Sequence, residues 1–195
     1  MSNHTPTDLR CYWKSFLGKQ EVLLFYSTRE ESGNRYPQFS NFYRHKAFLY
    51  TIPTWCGHFG GQSFSVEFSE KAIMLCKASL FNDTKMFEKI KHAKEPLQAK
   101  YLGRKCRFNQ SIWNQYVCQI AKDVIFQKFS SVEGFKELLL GTGECIIAEA
   151  APRDLNWGIG FAKENPKCQE PSLWRGLNIL GFALMVARLK LRDEM

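Results

Sequence analysis

One stretch of the chain, residues 70–81, constrains the fold more than any other, because its helical pattern has no polar face. With about 100° between successive residues of a helix, Glu70 and Lys77 lie roughly 20° apart on the same side. Ile73 and Met74 lie between them, and small or apolar side chains occupy the opposite side. The pattern predicts a helix that is buried in the domain.

The charges of Glu70 and Lys77 are unusual on a buried helix. Burying an ionised group is costly unless the group is paired or hydrogen-bonded, so groups in such positions have shifted pKa values. Residues with shifted pKa values gather in active sites. Glu70 and Lys77 are therefore candidate catalytic residues, and the alternative is a structural ion pair or a helix end that reaches solvent.

The remaining patterns predict short strands and several helices. Apolar runs rich in strand-forming residues predict strands at 21–27, 47–52, 62–68 and 146–150. Helical periodicity predicts three helices across 69–103, one helix with Trp113 on its apolar stripe, one at 132–140 and a buried closing helix at 177–192. Residues that commonly begin or end helices are Ser69, Asp83, Pro96 and, as a C-cap, Gly103.

These elements together predict an α+β fold: a single compact domain, mostly helices, packed around a small β-sheet. We expect the domain to span residues 21–195 and residues 1–20 to form an N-terminal extension. No signal peptide and no run of about 18 apolar residues is recognised. We therefore expect a soluble intracellular protein, cytoplasmic or nuclear, that does not enter a membrane.

The composition limits the ligands. Seven cysteines and four histidines are scattered without a Cys-x-x-Cys pair, so we expect no disulfide framework, no metal and no cofactor. A net charge of +8 favours anionic partners, although a merely basic surface explains it equally well. The sequence makes no prediction of the oligomeric state.

A second candidate site is the loop at 151–160, which directly follows a predicted strand. Its Asp154 can hold sugar hydroxyls or activate water, and Trp157 offers a stacking face. Gly158 and Gly160 allow the backbone to approach a ligand closely. The alternative is a capped turn with a core tryptophan.

A third candidate is the segment of Ser40, Asn41 and Phe42, which follows a polar loop at 28–38 containing Arg29. Arginine suits bidentate contacts with phosphate, and aromatic rings suit stacking on a base. Arg104 adds another candidate phosphate contact, although a cation near a helix C-terminus is also favoured by the helix dipole.

Taken in order, these segments resemble the NADAR family, which is associated with NAD and ADP-ribose and includes N-glycosidases of riboflavin intermediates. The resemblance covers roughly residues 22–192, and the matching pieces are Phe25-Tyr26, Phe39-Ser40-Asn41-Phe42, Ser69-Glu70 with Lys77, Pro96 with Leu102-Gly103-Arg104, Trp113, Leu138-Leu139-Leu140-x-Thr142-Gly143, Glu149-Ala150-x-Pro152-x-Asp154-x-x-Trp157-Gly158-x-Gly160, and Asn178-x-Leu180-Gly181-x-x-Leu184-Met185-x-x-Arg188. This many ordered motifs make a chance resemblance improbable.

The resemblance implies a compact NADAR-like α+β domain that hydrolyses N-glycosidic bonds between a ribose-type sugar and a base or amine. It places the family's catalytic glutamate on Glu70, its lysine on Lys77, and its acidic and aromatic pair on Asp154 and Trp157. The family's glutamine-containing stretch between glutamate and lysine is replaced here by residues 71–76, which affects the expected choice of substrate.

The resemblance also assigns roles. We expect Glu70 to act as general acid or base and Asp154 to orient sugar hydroxyls or water, while Lys77 either protonates the leaving base, holds phosphate or attacks C1. Catalysis is thus assigned to Glu70, Lys77 and Asp154, and the expected substrate-binding residues are Phe25, Tyr26, Arg29, Ser40, Asn41, Phe42, Arg104, Trp113, Trp157, Gly158, Gly160 and Asn178.

The family is associated with two kinds of substrate: ADP-ribose attached to guanine, in nucleotides or nucleic acid, and phosphoribosylated riboflavin precursors. The basic balance of the chain favours the ADP-ribosylated guanine. The alternatives are the phosphoribosyl-amine, a reader that binds ADP-ribose or nucleotides without cleaving them, and a nucleic-acid-binding domain supported only by the net charge.

Overall fold

The computed structural model of the protein describes residues 4–16, 18, 20–29 and 34–194, so the predicted loop at 28–38 lies partly outside the described residues. Seven α-helices and four strands occur in this part of the chain. They follow one another as α1 (Pro6–Lys14), β1 (Val22–Phe25), β2 (Phe48–Thr51), β3 (Ser63–Val66), α2 (Ser69–Leu80), α3 (Thr84–Lys91), α4 (Pro96–Arg104), α5 (Gln110–Ser131), α6 (Phe135–Leu140), β4 (Ile146–Glu149) and α7 (Ile179–Asp193). The predicted α+β class is confirmed.

The strands form two separate pairs where the sequence predicted one small sheet. β1 lies parallel to β4, in a register that places Phe25 opposite Glu149. β2 and β3 are antiparallel neighbours. The burial of β2 alternates strictly, because only one of its faces packs on the core, whereas all but the last residue of β4 are buried. These different environments keep the pairs apart.

Helix α2 is the central helix of the fold, as the sequence predicted. Every residue from Ser69 to Ser79 is buried. The helix packs against α3, α4 and α5, so neighbouring elements surround it. Glu70 and Lys77 are therefore both removed from bulk solvent.

The predicted helix ends are partly confirmed. Asp83 caps α3 by accepting a hydrogen bond of 3.1 Å from the Met86 amide, and Pro96 is the first residue of α4. Ser69 is not a cap, because it is the first residue inside α2 and its hydroxyl has no partner among the described residues. The C-cap prediction for Gly103 is also wrong: α4 continues past it, and a Cβ there would lie 1.8 Å from the Met74 sulfur. This glycine allows α4 to approach α2 closely.

The main core lies between α5, α7 and the parallel strand pair, and α1 adds to it. Leu9 and Trp13 of α1 are buried, and the Trp13 indole donates a hydrogen bond of 2.7 Å to the carbonyl of Leu177. The segment expected to form an extension thus contains a helix that packs on the domain, while the boundary at residue 21 stays a prediction. Among the described residues, no helix is both long and apolar enough to cross a membrane.

Candidate active site

A cavity of about 260 Å³ opens where β1 and β4 end and α2 begins. In sheets with parallel strands, ligands bind beyond the carboxyl ends of the strands, and the cavity has this position relative to the parallel pair. Three acidic side chains, one lysine and several aromatic or small polar residues line it: Tyr26, Ser27, Thr28, Ser40, Asn41, Phe42, Glu70, Lys100, Glu149, Asp154 and Trp157.

Glu70 stands in the first turn of α2, with only 5% of its surface exposed. Its amide donates a hydrogen bond of 3.0 Å to the carbonyl of Asn41, which ties the start of the helix to the opposite wall of the cavity. Burial raises the pKa of Glu70 to about 7, although the positive charge of Lys100 opposes the rise. A carboxyl group with a pKa near neutrality can both accept and return a proton.

Glu149, the last residue of β4, brings a second carboxyl group into the cavity. Its amide donates a hydrogen bond of 3.1 Å to the Asn178 side chain, and its carbonyl accepts a hydrogen bond of 2.9 Å from the Ile159 amide. The Oε2 atom is buried and has no hydrogen-bond partner among the described residues. Burial, and then the negative charge of Asp154, raise the pKa of Glu149 to about 8.

Asp154 supplies the third carboxyl group and also shapes the loop that carries it. Its Oδ1 accepts hydrogen bonds of 3.0 Å from the Asn156 amide and 2.8 Å from the Trp157 amide. This turn holds Trp157 against the cavity. Gly160 completes the loop with φ +77°, and a Cβ at Gly158 would lie 2.9 Å from the Glu149 carbonyl. Neither glycine lines the cavity, and both serve the geometry of the loop.

The wall formed by residues 40–42 is held from behind by Lys128 of α5. This side chain is fully buried. Its Nζ donates one hydrogen bond of 2.6 Å to the Gln38 carbonyl and another of 3.2 Å to the Ser40 carbonyl. Burial lowers the pKa of Lys128 to about 7. The lysine therefore fixes the main chain that presents Asn41 and Phe42 to the cavity.

Lys100 of α4 is the cation of the cavity. Its Nζ lies 5.2 Å from the centre of the Phe42 ring, and it forms no ion pair with any carboxylate in the described part of the chain. Its charge opposes the raised pKa values of both Glu70 and Glu149. A cation without a carboxylate partner at this position suits an anionic group of a substrate.

Lys77 does not line the cavity. Its Nζ lies 3.4 Å from the centre of the Phe108 ring and 5.3 Å from that of Trp113. Burial lowers the pKa of Lys77, and the nearby cation of Arg104 lowers it further. Trp113 of α5 and Arg104 of α4 do not line the cavity either. The charges of Lys77 and Arg104 still act on Glu70 by lowering its pKa.

The structure brings together seven of the residues predicted from the sequence, namely Tyr26, Ser40, Asn41, Phe42, Glu70, Asp154 and Trp157. Two other predicted residues lie in the layer beneath. Phe25 is fully buried with its ring 5.7 Å from that of Phe39. Asn178 is fully buried, and its amide group binds the main chain of β4. Both support the strands instead of lining the cavity.

A wider groove of about 820 Å³ adjoins the cavity and shares Thr28 and Phe42 with it. The predicted substrate contact Arg29 lies here. Arg44 forms an ion pair of 2.6 Å with Glu95 at the groove. The first two residues of α4, Pro96 and Leu97, also line it. The groove is therefore a continuous extension of the cavity toward solvent.

Sequence reasoning did not select Glu149, Lys100 or Lys128 as functional residues. Glu149 had a usable signal, because it is a charged residue inside the apolar run predicted as a strand at 146–150, just before the candidate loop. Lys100 and Lys128 gave no such signal. Each is a single lysine on a predicted helix, and which neighbour its side chain meets depends on how that helix packs. Within the described residues, no group of three or more His, Cys, Asp or Glu side chains could hold a metal ion.

A buried acidic cavity with near-neutral carboxyl groups beside a tryptophan is typical of an enzyme that uses acid–base chemistry. The family comparison agrees with this class. The chain belongs to the NADAR family: the family's sequence model, described as "NADAR domain", matches residues 24–192.

Two similar proteins are named N-glycosidases, and a third is named a riboflavin biosynthesis protein. The chain is 36% identical over 139 residues to "N-glycosidase R617" of Acanthamoeba polyphaga mimivirus, which covers 70% of this chain and 79% of that protein. It is 32% identical over 113 residues to "N-glycosidase Npun_R5314" of Nostoc punctiforme, covering 57% and 65%. It is also 32% identical over 112 residues to "Riboflavin biosynthesis protein PYRR, chloroplastic" of Arabidopsis thaliana, covering 55% and 17%. The predicted enzyme class, a hydrolase of N-glycosyl bonds, is confirmed at this coarse level.

The fold has a solved counterpart. The NMR structure of the E. coli protein YbiA aligns with a TM-score of 0.65 and 24% identity, over 91% of this chain and 89% of that one. The similarity confirms the predicted single-domain fold.

Proposed function

We propose that this protein is an N-glycosidase that releases ADP-ribose from guanine by hydrolysing the bond between C1 of the ribose and the base. The observation that carries the proposal is the buried Glu70 carboxyl, which faces the cavity with a pKa near 7. Family membership and the relatives named N-glycosidases support the reaction type. The choice of substrate rests on the groove and the charge.

The chemistry makes defined demands on the cavity. Breaking a C–N glycosidic bond builds positive charge on the sugar, so a negative group near C1 and a base for the attacking water are needed. Glu70 in its ionised form takes the proton from water, and Asp154 orients the water or the sugar hydroxyls. Trp157 and Phe42 wall the cavity and keep bulk water away from the sugar.

The size of the cavity bears on the substrate. Pockets for drug-sized ligands usually measure about 300–1,000 Å³, so a cavity of about 260 Å³ takes only part of a dinucleotide-sized molecule. The adjoining groove of about 820 Å³ offers room for the rest, with the exposed Arg29 placed to contact phosphate. The net charge of +8 further favours a pyrophosphate or a nucleic acid over a single phosphate.

Phosphoribosylated riboflavin precursors are the second candidate substrate. A cavity that takes one sugar, with Lys100 for a single phosphate, fits a small phosphoribosyl-amine without any use of the groove. The similarity to a relative named as a riboflavin biosynthesis protein also favours it. A third candidate, a reader of ADP-ribose, uses the same cavity without cleavage.

One assay separates these functions. The protein is incubated with a guanine-ADP-ribosylated oligonucleotide and, separately, with a phosphoribosylated pyrimidine, and the products are identified by mass spectrometry. We expect unmodified guanine and free ADP-ribose from the first substrate. Faster cleavage of the pyrimidine compound would establish the second function, and tight binding of ADP-ribose with both substrates uncleaved would establish the reader.

A further inference from the structure

We propose that Glu149 is the general acid of the reaction and hands a proton to the base as it leaves the sugar. The proposal rests on the N-glycosidase activity proposed above. It assigns the two glutamates opposite tasks, with Glu70 as the base for water and Glu149 as the proton donor for the leaving group.

Glu149 is placed to do this by the strand that carries it. β4 ends at this residue, and the main chain there is bound on both sides, by the Asn178 side chain and by the Ile159 amide. The side chain enters the cavity with Oε2 buried and without a hydrogen-bond partner among the described residues. A fixed, unpartnered carboxyl oxygen that faces a ligand cavity is available to bond to the ligand.

The surrounding charges decide which carboxyl group ionises first. Asp154 and Glu70 both place negative charge near Glu149, and among the described residues Lys100 is the only cation named as opposing them. Asp154 also places negative charge near Glu70. Glu70, however, receives positive charge from Lys100, Arg104 and Lys77. Because like charges disfavour ionisation and opposite charges favour it, Glu70 ionises more readily, and Glu149 keeps its proton to a higher pH.

The reaction breaks one bond to C1 and forms another. The C1–N bond breaks with its electron pair on the leaving nitrogen, which takes the proton from the Glu149 carboxyl. Water forms the new C1–O bond and gives one proton to the Glu70 carboxylate. The products are the free sugar and the protonated base, and proton exchange with solvent then restores the acid form of Glu149 and the ionised form of Glu70.

The first test is the pH dependence of kcat/KM with whichever substrate the wild-type protein cleaves. We expect activity to rise with pH near 7, as Glu70 ionises, and to fall near 8, as Glu149 loses its proton. Glu149→Gln should lower kcat by about 10²- to 10⁴-fold and abolish the fall at high pH. The exposed control Glu137→Gln should leave the whole profile unchanged.

A second variant guards against a merely structural effect. Glu149→Ala leaves space for a small acid, so an added acid that is still partly protonated near pH 7, such as imidazolium, should restore part of its activity, whereas Glu149→Gln should not respond. Full activity of Glu149→Gln, or an equal loss at every pH without rescue of Glu149→Ala, would overturn the proposal. A wild-type protein inactive on all N-glycosyl substrates would instead refute the proposed function.

The protonation state is measurable without any substrate. Carbon-13 NMR of the glutamate carboxyl groups, assigned through Glu149→Gln, should show Glu149 still mostly protonated at pH 7. Titration of Glu149 near pH 4.5 would contradict its role as the acid.

Discussion

At the scale of single residues, burial sets the protonation of the cavity. Desolvation is the largest influence on both Glu70 and Glu149, and it outweighs the cations nearby. Burial of this kind costs folding free energy, because the charged form loses its hydration. The carboxyl groups that equip the cavity for acid–base chemistry are therefore also a source of instability.

The cost predicts how stability depends on pH. The folded pKa of Glu149, about 8, is higher than the ordinary glutamate value, so stability is complete below about pH 4 and falls as pH rises toward 8. Glu149→Gln has no ionisable group at this position, so its free energy of unfolding relative to that of the wild type should rise by about 3–4 kcal/mol between pH 5 and pH 8. Thermal unfolding at the two pH values measures the difference, and an equal advantage at both would contradict the raised pKa.

Lys77 gives the second prediction. Its Nζ lies against the Phe108 ring and outside the cavity lining, so we expect no covalent adduct with the sugar. Borohydride treatment during turnover should trap nothing on Lys77. Lys77→Met should instead shift the rise of activity near pH 7 upward by less than about one pH unit, because the lysine lowers the pKa of Glu70. A trapped adduct that is lost in Lys77→Met would contradict this.

The sequence predicted several of the residues that line the cavity, and their catalytic roles stay predictions. Glu70 was selected because a charge on a fully apolar helix violates the usual pattern, and Asp154 and Trp157 because a polar loop follows a strand. The position of Lys77 was not foreseen, since helical spacing gives the side of α2 but not which neighbour covers each turn. Lys128 could not be predicted for a related reason, because it binds two main-chain carbonyls that are far away in the sequence.

At the scale of elements, the segment containing residues 40–42 depends on a tether from α5. Lys128 donates to the carbonyls of Gln38 and Ser40, and the Glu70 amide donates to that of Asn41, so the same loop joins α5 to α2. In the described part of the chain, residues 40–42 belong to no strand pair. The shape of the cavity therefore follows from these hydrogen bonds.

Lys128→Met tests the tether. The change removes both hydrogen bonds and should lower kcat/KM by more than tenfold while hydrogen exchange at the Glu70 amide accelerates. Arg188→Met is the matched control, because it removes a buried cation that binds Thr142 and Cys145 away from the cavity. We expect the control to lose stability but keep its kcat. Equal kinetics in both variants would show that Lys128 serves stability alone.

The contact between α2 and α4 gives a prediction about packing. Gly103→Ala would place a methyl group 1.8 Å from the Met74 sulfur, and we expect a loss of about 1–3 kcal/mol from overpacking. Shortening Met74 relieves the clash. Met74→Ala should therefore lower the free energy of unfolding less in the Gly103→Ala background than in the wild type. Denaturant unfolding of the four proteins measures this coupling. Strictly additive effects would contradict a direct contact.

At the scale of the whole molecule, the fold class was predictable and the arrangement of strands was not. Local patterns gave every strand and helix from β1 to α7, because each has its own periodicity or cap. The parallel pairing of β1 with β4 joins segments more than a hundred residues apart, and no local pattern encodes it. That pairing places Glu149 opposite Phe25, at the end of the strands where the cavity opens, so the contribution of Glu149 to the cavity was missed.

On the surface of the whole molecule, the cavity continues into the groove that Arg29 lines. This continuity favours a substrate larger than one sugar phosphate. If the proposed function is correct, the cavity hydrolyses the bond between ADP-ribose and guanine with Glu70 as an essential group.

The most direct measurement is mass spectrometry of a guanine-ADP-ribosylated oligonucleotide after incubation with the wild-type protein and with Glu70→Gln. We predict that the wild type removes the full mass of ADP-ribose and leaves an unmodified guanine, and that the variant does so at least about 100-fold more slowly. An oligonucleotide that stays modified after incubation with the wild type would contradict the proposed function. Removal of ADP-ribose at the same rate by both proteins would contradict the proposed role of Glu70.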